Sequence, residues 1–305
     1  MAHRRPVSRL IERVVGALLF HRHPVEPAAL DALRAGARQL DGGDAGAFAL
    51  WDDKRRELRR LLVEGDPRAF LHWDPVRTTM VKRGRRPVAV ELARLRRRGD
   101  WRSRWRPALR ESTLGRPRPF VRAPWTSGTL IHQAYHLACF EETTGRRLTE
   151  LPFVVEFGGG YGSLCRLFHQ LGFRGTYVIF DLPEVTLLQR FFLGSLHAPV
   201  VTTSDVGELR AHVAKRPSGG AAFIACASLG EAPIHVRRQV LPVVAGFDAV
   251  LIAYTAQALG VDNRTFFSDW RSEWPGYRWY DVERPHLEKA EWYLFGAAHA
   301  AERGS

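Results

Sequence analysis

Glu156 stands two residues ahead of a turn holding Gly158, Gly159, Gly160 and Gly162, and Asp181 follows 19 residues after the last of these. A turn so rich in glycine lets main chain approach a ligand closely, and a helix opening directly after it aims its N–H groups the same way. Dinucleotides and S-adenosylmethionine are both received by such turns at the carboxyl edge of a parallel sheet. The dinucleotide spacing G-x-G-x-x-G/A does not fit. Started at Gly158 it needs Gly or Ala where Ser163 stands, and started at Gly160 it meets Cys165. The spacing present is acidic-x-G-x-G-x-G, from Glu156 through Gly158, Gly160 and Gly162. Asp181 is placed to accept from both hydroxyls of a ribose, which suits an adenosyl ligand of either kind. Leu182 beside it, Asp205 and Ser228 complete the residues expected to touch a cofactor.

Groups able to take up a proton lie elsewhere in the chain. His132 and His136 are four apart, on one face of a helix predicted over Thr129–Phe140. Asp262 follows the fifth predicted strand, and His286 sits in the loop before the last. All four are candidate bases, and their spacing does not rank them. Ser228, Glu231, Gln257 and Asn263 are further polar groups beyond strand ends. Two histidines at i, i+4 also suit a metal, but HQAYH lacks the glutamate of a zinc-protease helix and has no evident third ligand, so no metal is expected.

The elements that would position these residues can be read from the apolar pattern. Strands are predicted at Phe153–Phe157, Thr176–Asp181, Val200–Asp205, Ala221–Ser228, Asp248–Tyr254 and Glu291–Ala297. Helical patterns separate most of them, the first capped by Ser163 and ended by Gly172, which implies a parallel sheet. A pair around Arg278–Val282 and Glu291–Ala297 adds antiparallel strands at one edge. Before the sheet, Pro27–Leu40, Asp52–Val63 and Val88–Arg98 read as helices. The expected organisation is a helical, Arg-rich segment over 1–125, serving as a substrate cap, and a cofactor-binding α/β domain over 126–305.

The 305 residues suffice for one large core or two modest ones, and the 45% hydrophobic content is that of an ordinary globular protein. VVGALLF (Val14–Phe20) is too short and too closely preceded by charge for a leader, and reads as part of an amphipathic helix. Cys139, Cys165 and Cys226 are too scattered for a disulfide framework or zinc site. A cytoplasmic protein without a membrane span is expected. The net charge of +13 is uneven: residues 1–125 carry 29 Lys+Arg against 14 Asp+Glu, a surplus of +15. Arginine interleaved with Trp101 and Trp105 suits a phosphorylated small molecule, and nucleic acid on charge alone. No RNA-binding motif accompanies it, so nucleic acid is not the expected partner.

Longer stretches carry a resemblance. EFGGGYGSLCRLF (Glu156–Phe168) followed by YVIFDLPEV (Tyr177–Val185) resembles the sugar O-methyltransferase family. So do LIHQAYHLACFEETTG (Leu130–Gly145), ASLGEAP (Ala227–Pro233), LIAYTAQALGVDNRTFF (Leu251–Phe267), RPHLEKAEWYLFG (Arg284–Gly296) and EGDPRAFLHWDPVRTTM (Glu64–Met80). The likeness spans roughly residues 50–297 and leaves the first fifty residues and the Arg83–Arg106 insert outside it. It implies a Rossmann-like methyltransferase sheet, mostly parallel with an antiparallel edge strand, and a helical N-terminal segment. It also implies S-adenosylmethionine as cofactor and a small-molecule acceptor, a sugar or phosphorylated sugar, methylated on a hydroxyl. Methyl transfer to oxygen requires donor and acceptor in line and a base for the hydroxyl proton. Two alternatives stay open: an enzyme of this fold that converts S-adenosylmethionine itself, for instance by cyclising its aminobutyl part, and an RNA-binding or RNA-modifying protein. A homo-oligomer is also left open.

Overall fold

A computed structural model describes residues 14–40, 49–287 and 291–299. Glu288, Lys289 and Ala290, within the last resembling stretch, lie outside the described residues, as do residues 1–13 and 41–48 of the unmatched N-terminal part. Residues 14–19 are helical, as VVGALLF suggested. The longer helices along the chain are α1 (Pro27–Gln39), α2 (Ala49–Glu64), α3 (Arg85–Arg96), α4 (Gly128–Thr144), α5 (Ser163–Gln170), α6 (Pro183–Ser195), α7 (Val206–Ala214), α8 (Ile234–Val240) and α9 (Asn263–Ser272). No helix among the described residues is long and apolar enough to cross a membrane.

The chain forms two compact units. One draws on Met1–Tyr135, Gly160–Gly172 and Pro183–Pro199, the other on His136–Gly159, Phe173–Leu182 and Val200–Ser305. All seven strands of the main sheet belong to the second unit: β1 (Phe153–Phe157), β2 (Thr176–Phe180), β3 (Val201–Thr203), β4 (Ala221–Cys226), β5 (Ala249–Thr255), β6 (Tyr277–Glu283) and β7 (Glu291–Ala298). Their order is β6-β7-β5-β4-β1-β2-β3. The pairs β1–β2, β1–β4, β2–β3 and β4–β5 are parallel, and β7 runs antiparallel to both β5 and β6. This is the mostly parallel sheet with an antiparallel edge that the sequence predicts.

Central parallel strands are near-continuous apolar runs because both of their faces are covered. Every residue of β1 is buried, and Val155 lies level with Val178 on one neighbour and Phe223 on the other. Two strands are shorter than the apolar runs suggest. β3 stops at Thr203 because Asp205 caps α7, its side chain accepting from Glu208 N at 2.8 Å. β4 stops at Cys226 because Ala227 takes a left-handed φ of 53° and redirects the chain. At the antiparallel edge Trp279 lies on Gly296, where no side chain would fit, and stacks on Tyr277 at 5.3 Å. Trp270 and Trp274 close the same aromatic group.

In the first unit α1, α2 and α6 pack together, with Leu187 of α6 filling the space left by Gly36 of α1. Phe70, Tyr161 and Phe192 form an aromatic core at centroid distances of 5.1–5.5 Å. Beside it Glu184, in the first turn of α6, accepts from Arg55 at 3.1 and 3.2 Å and lies 3.2 Å from Arg59.

Candidate functional site

The strand order reverses at β1, with β2 and β3 on one side and β4 and β5 on the other. In open parallel sheets the crevice outside the carboxyl ends at such a reversal is where ligands bind. Gly158 leaves β1 there and Ser228 follows β4. The Gly158 N–H continues the β1–β2 ladder by donating to Phe180 O at 2.8 Å, and the residue holds a φ of 68°. Ser228 Oγ donates to Phe157 O at 2.6 Å, which presses the serine against the glycine. A Cβ on Gly158 would overlap Ser228 Cβ and lie 3.0 Å from its Oγ. Position 158 therefore excludes any side chain on two counts.

Two carboxyl groups flank this turn. Glu156 is buried and accepts from the Tyr177 hydroxyl at 2.9 Å. Burial pushes its pKa up to about 8, and the charge of Asp181 pushes the same way, against the Tyr177 hydrogen bond. Asp181 stands just past β2. Its N–H donates to Thr203 O at 3.0 Å, and its Oδ1 accepts from Leu182 N at 2.8 Å, so Leu182 enters the site through its backbone, by orienting the carboxylate. Asp205 is taken up as the α7 cap.

From Gly160 onward the turn belongs to the first unit. Gly160, with a φ of 55°, accepts at its carbonyl from Gln189 Nε2 at 2.7 Å. Gly162 takes a φ of 93°, and a Cβ there would strike Leu193 at 2.8 Å. Both anchors come from α6, and no sequence spacing announces them. Gly162 is also the N-cap of α5, and Ser163 is the first helical residue with no capping hydrogen bond from its side chain, which corrects the expected Ser163 cap. Gly162 can adopt the left-handed geometry needed to enter the helix, and this shifts the cap by one position.

The four candidate bases fall in different surroundings. His132 Nδ1 donates to Glu91 Oε1 at 2.8 Å, within the first unit; Glu91 is fully buried on α3, and the His132 side chain is 12% exposed. A carboxylate on Nδ1 fixes the tautomer and leaves the lone pair on Nε2. His136, in the second unit, is buried and shares a 2.7 Å hydrogen bond between Nδ1 and the Tyr293 hydroxyl, with their rings edge to face. Asp262 caps α9, accepting from the N–H of Thr265 and Arg264 and from the Thr265 hydroxyl; these bonds, first those of Thr265, hold its carboxyl below the usual range. A base works best with a pKa near the working pH, so this environment opposes such a role. His286 is half-buried in the loop before β7. Glu91 escaped the sequence reading although it is the one acid among eight basic residues from Lys82 to Arg98.

Asn263 and Arg237 form a buried clamp. Arg237 donates to Asn263 Oδ1, Gly230 O and Ala232 O at 2.7, 2.7 and 2.8 Å, and Asn263 Nδ2 donates to Gly230 O and Thr255 O. The clamp fixes the loop that carries Ser228, so Asn263 supports the strand ends from within. Among the described residues no cluster of three or more His, Cys, Asp or Glu could hold a metal ion.

No family model matches the chain, and no curated protein does. Solved structures similar to it include a mutant of MtNAS in complex with S-adenosylmethionine (18% identity, 88% of this chain and 97% of that chain, TM-score 0.39). Others are the precorrin-6y C5,15-methyltransferase from Geobacter metallireducens (12% identity, 57% and 88%, TM-score 0.38) and the methyltransferase domain of bacterial CtHen1-CN (12% identity, 54% and 97%, TM-score 0.40). The chain has a Rossmann-like α/β fold, a mostly parallel seven-stranded sheet with an antiparallel edge. Its strand order and parallel core, read directly, define that fold.

Proposed function

We propose that the chain is an S-adenosylmethionine-dependent O-methyltransferase acting on a hydroxyl of a sugar or of a glycosylated or nucleotide-linked metabolite. The observation that carries the reading is the placement of Glu156 and Asp181 at the ends of adjacent parallel strands, on either side of a glycine turn at the strand-order reversal. This set fits the cofactor. Asp181, with its carboxylate held by Leu182 N, is the group that would accept from ribose hydroxyls, and Gly158 lets the loop after β1 close onto Ser228 without a side chain between them. When bound, the cofactor supplies an electrophilic methyl group on sulfur. The chain must then hold the acceptor in line and remove its hydroxyl proton. His132, with its tautomer set by Glu91, is the histidine best prepared for that proton. The sugar acceptor follows from the sequence resemblance, and three cysteines scattered along the sequence suit the cytoplasm.

Calorimetry with S-adenosylhomocysteine tests the cofactor site. Asp181→Ala removes charge-assisted hydrogen bonds and should weaken binding about 10- to 100-fold, and Gly160→Val should abolish it. Undiminished binding in both variants would overturn the assignment. Labelled cofactor incubated without acceptor should stay intact; release of methylthioadenosine would point instead to conversion of the cofactor itself.

A further inference from the structure

The Arg-rich stretch has two kinds of arginine. Arg98 and Arg104 are committed internally, both paired with Asp100 and both lying over the Trp105 ring. Arg85, Arg86 and Arg122 are exposed, and none has an ion-pair partner among the described residues. These three line one open groove of about 550 Å³ between the outer side of α3 and the Phe120–Arg122 segment. Its floor is apolar, formed chiefly by Ala89, Val90, Phe120 and Val121, and no acidic residue lines it. Val90 is 51% exposed and Val121 69%, so the floor offers apolar surface to a ligand. The volume lies within the range of small-molecule sites, roughly 300–1,000 Å³.

We infer that this groove binds the nucleoside diphosphate part of a nucleotide-linked sugar, with the phosphates on Arg85, Arg86 and Arg122 and the base on Val90 and Val121. The inference rests on the acceptor reading above and gives the acceptor's anionic handle a place. Three guanidiniums neutralise the two negative charges of a sugar-linked diphosphate with one to spare, and their forked donors suit its oxygens. An inorganic anion would leave the apolar floor wet, whereas a flat base covers it. Arg85 and Arg86 open α3, and Arg122 follows Val121 on the neighbouring segment.

The test is calorimetric titration of the full chain with uridine diphosphate, in saturating S-adenosylhomocysteine so that an adenosyl site is filled. Uridine and inorganic pyrophosphate serve as separate probes. The nucleotide should bind at least tenfold more tightly than either. The triple variant Arg85→Gln, Arg86→Gln, Arg122→Gln should lose about 1,000-fold or more, since a charge-assisted bond accounts for roughly tenfold or more each. Val90→Asp should weaken the nucleotide more than the pyrophosphate. All three arginines are exposed, so the variants keep the fold, which an unchanged S-adenosylhomocysteine affinity verifies. Equal affinity in the triple variant, pyrophosphate as tight as the nucleotide, or capture by phosphatidylglycerol vesicles without nucleotide binding each overturns the proposal. If wild type fails to bind S-adenosylhomocysteine, the methyl-transfer reading falls, while the arginine dependence of nucleotide binding is still measured.

Discussion

Ser228 lies so close to Gly158 that the serine Cβ occupies the space a side chain at 158 would need. The contact joins the loops after β1 and β4, and the 2.6 Å bond from Ser228 Oγ to Phe157 O holds it. Gly158→Ala adds a left-handed φ penalty to a steric clash and should cost about 3 kcal/mol. Ser228→Gly alone should cost about 1 kcal/mol for the lost hydrogen bond. The double variant should recover 1–2 kcal/mol, roughly, of the summed cost, because the clash is gone. Urea unfolding of all four proteins gives the coupling, and strictly additive costs would show that the two residues do not press on one another.

Glu156 makes stability depend on pH in a definite direction. Its pKa rises from 4.5 to about 8 on folding, so the folded state binds the proton more tightly than the unfolded chain. The associated stabilisation is complete below about pH 4.5 and is lost as pH rises through about 8. Glu156→Gln removes this dependence. Relative to wild type the variant should gain on the order of a few kcal/mol between pH 5 and pH 8.5. Parallel stability curves for the two proteins would mean that Glu156 is already ionised at pH 7.

Glu184 is a buried carboxylate with two guanidiniums, one buried with it. Glu184→Ala leaves the buried Arg55 with only the longer 3.9 Å pair to Asp52 and should cost about 3 kcal/mol. Arg59→Ala should cost about 1 kcal/mol or less, since Arg59 is the more exposed partner and Arg55 keeps both of its bonds. If Arg59→Ala proves the costlier change in chemical denaturation, the charge balance around α6 has been misassigned.

What the sequence reveals here and what it hides divide along one line. Features set by neighbouring residues are legible: the apolar runs of β1, β2, β4 and β5, the glycine turn, Asp181 just past β2, and the antiparallel edge where aromatic residues replace the solid apolar run. Features set by partners far apart in the chain are not. Glu184 meets Arg55 across 129 residues, Arg237 meets Asn263 across 26, and Glu91 meets His132 across 41. Each is a polar pair brought together by folding, with no periodicity to mark it. The Ser163 cap failed for a local reason: Gly162 takes the left-handed conformation at the cap position, and residue preference alone favoured the serine.

The two histidines of α4 should separate function from structure. His136 is buried against Tyr293, so His136→Ala leaves a buried hydroxyl without its partner and opens a cavity; it should cost about 2–3 kcal/mol. His132 retains some exposure and is held through Nδ1 by a buried carboxylate, the arrangement that prepares Nε2 to accept a proton. His132→Ala should lower the rate of methyl transfer about 100-fold or more while S-adenosylhomocysteine binding stays within about twofold. Glu91→Gln keeps an oxygen that can accept from Nδ1 but removes the charge that stabilises the imidazolium, so the rate should fall about tenfold with the fold intact. Rates are measured as methyl transferred from labelled cofactor to nucleotide-linked sugars, and stability by chemical denaturation. A normal rate in His132→Ala together with a large loss in His136→Ala at full stability would reverse the roles of the two residues.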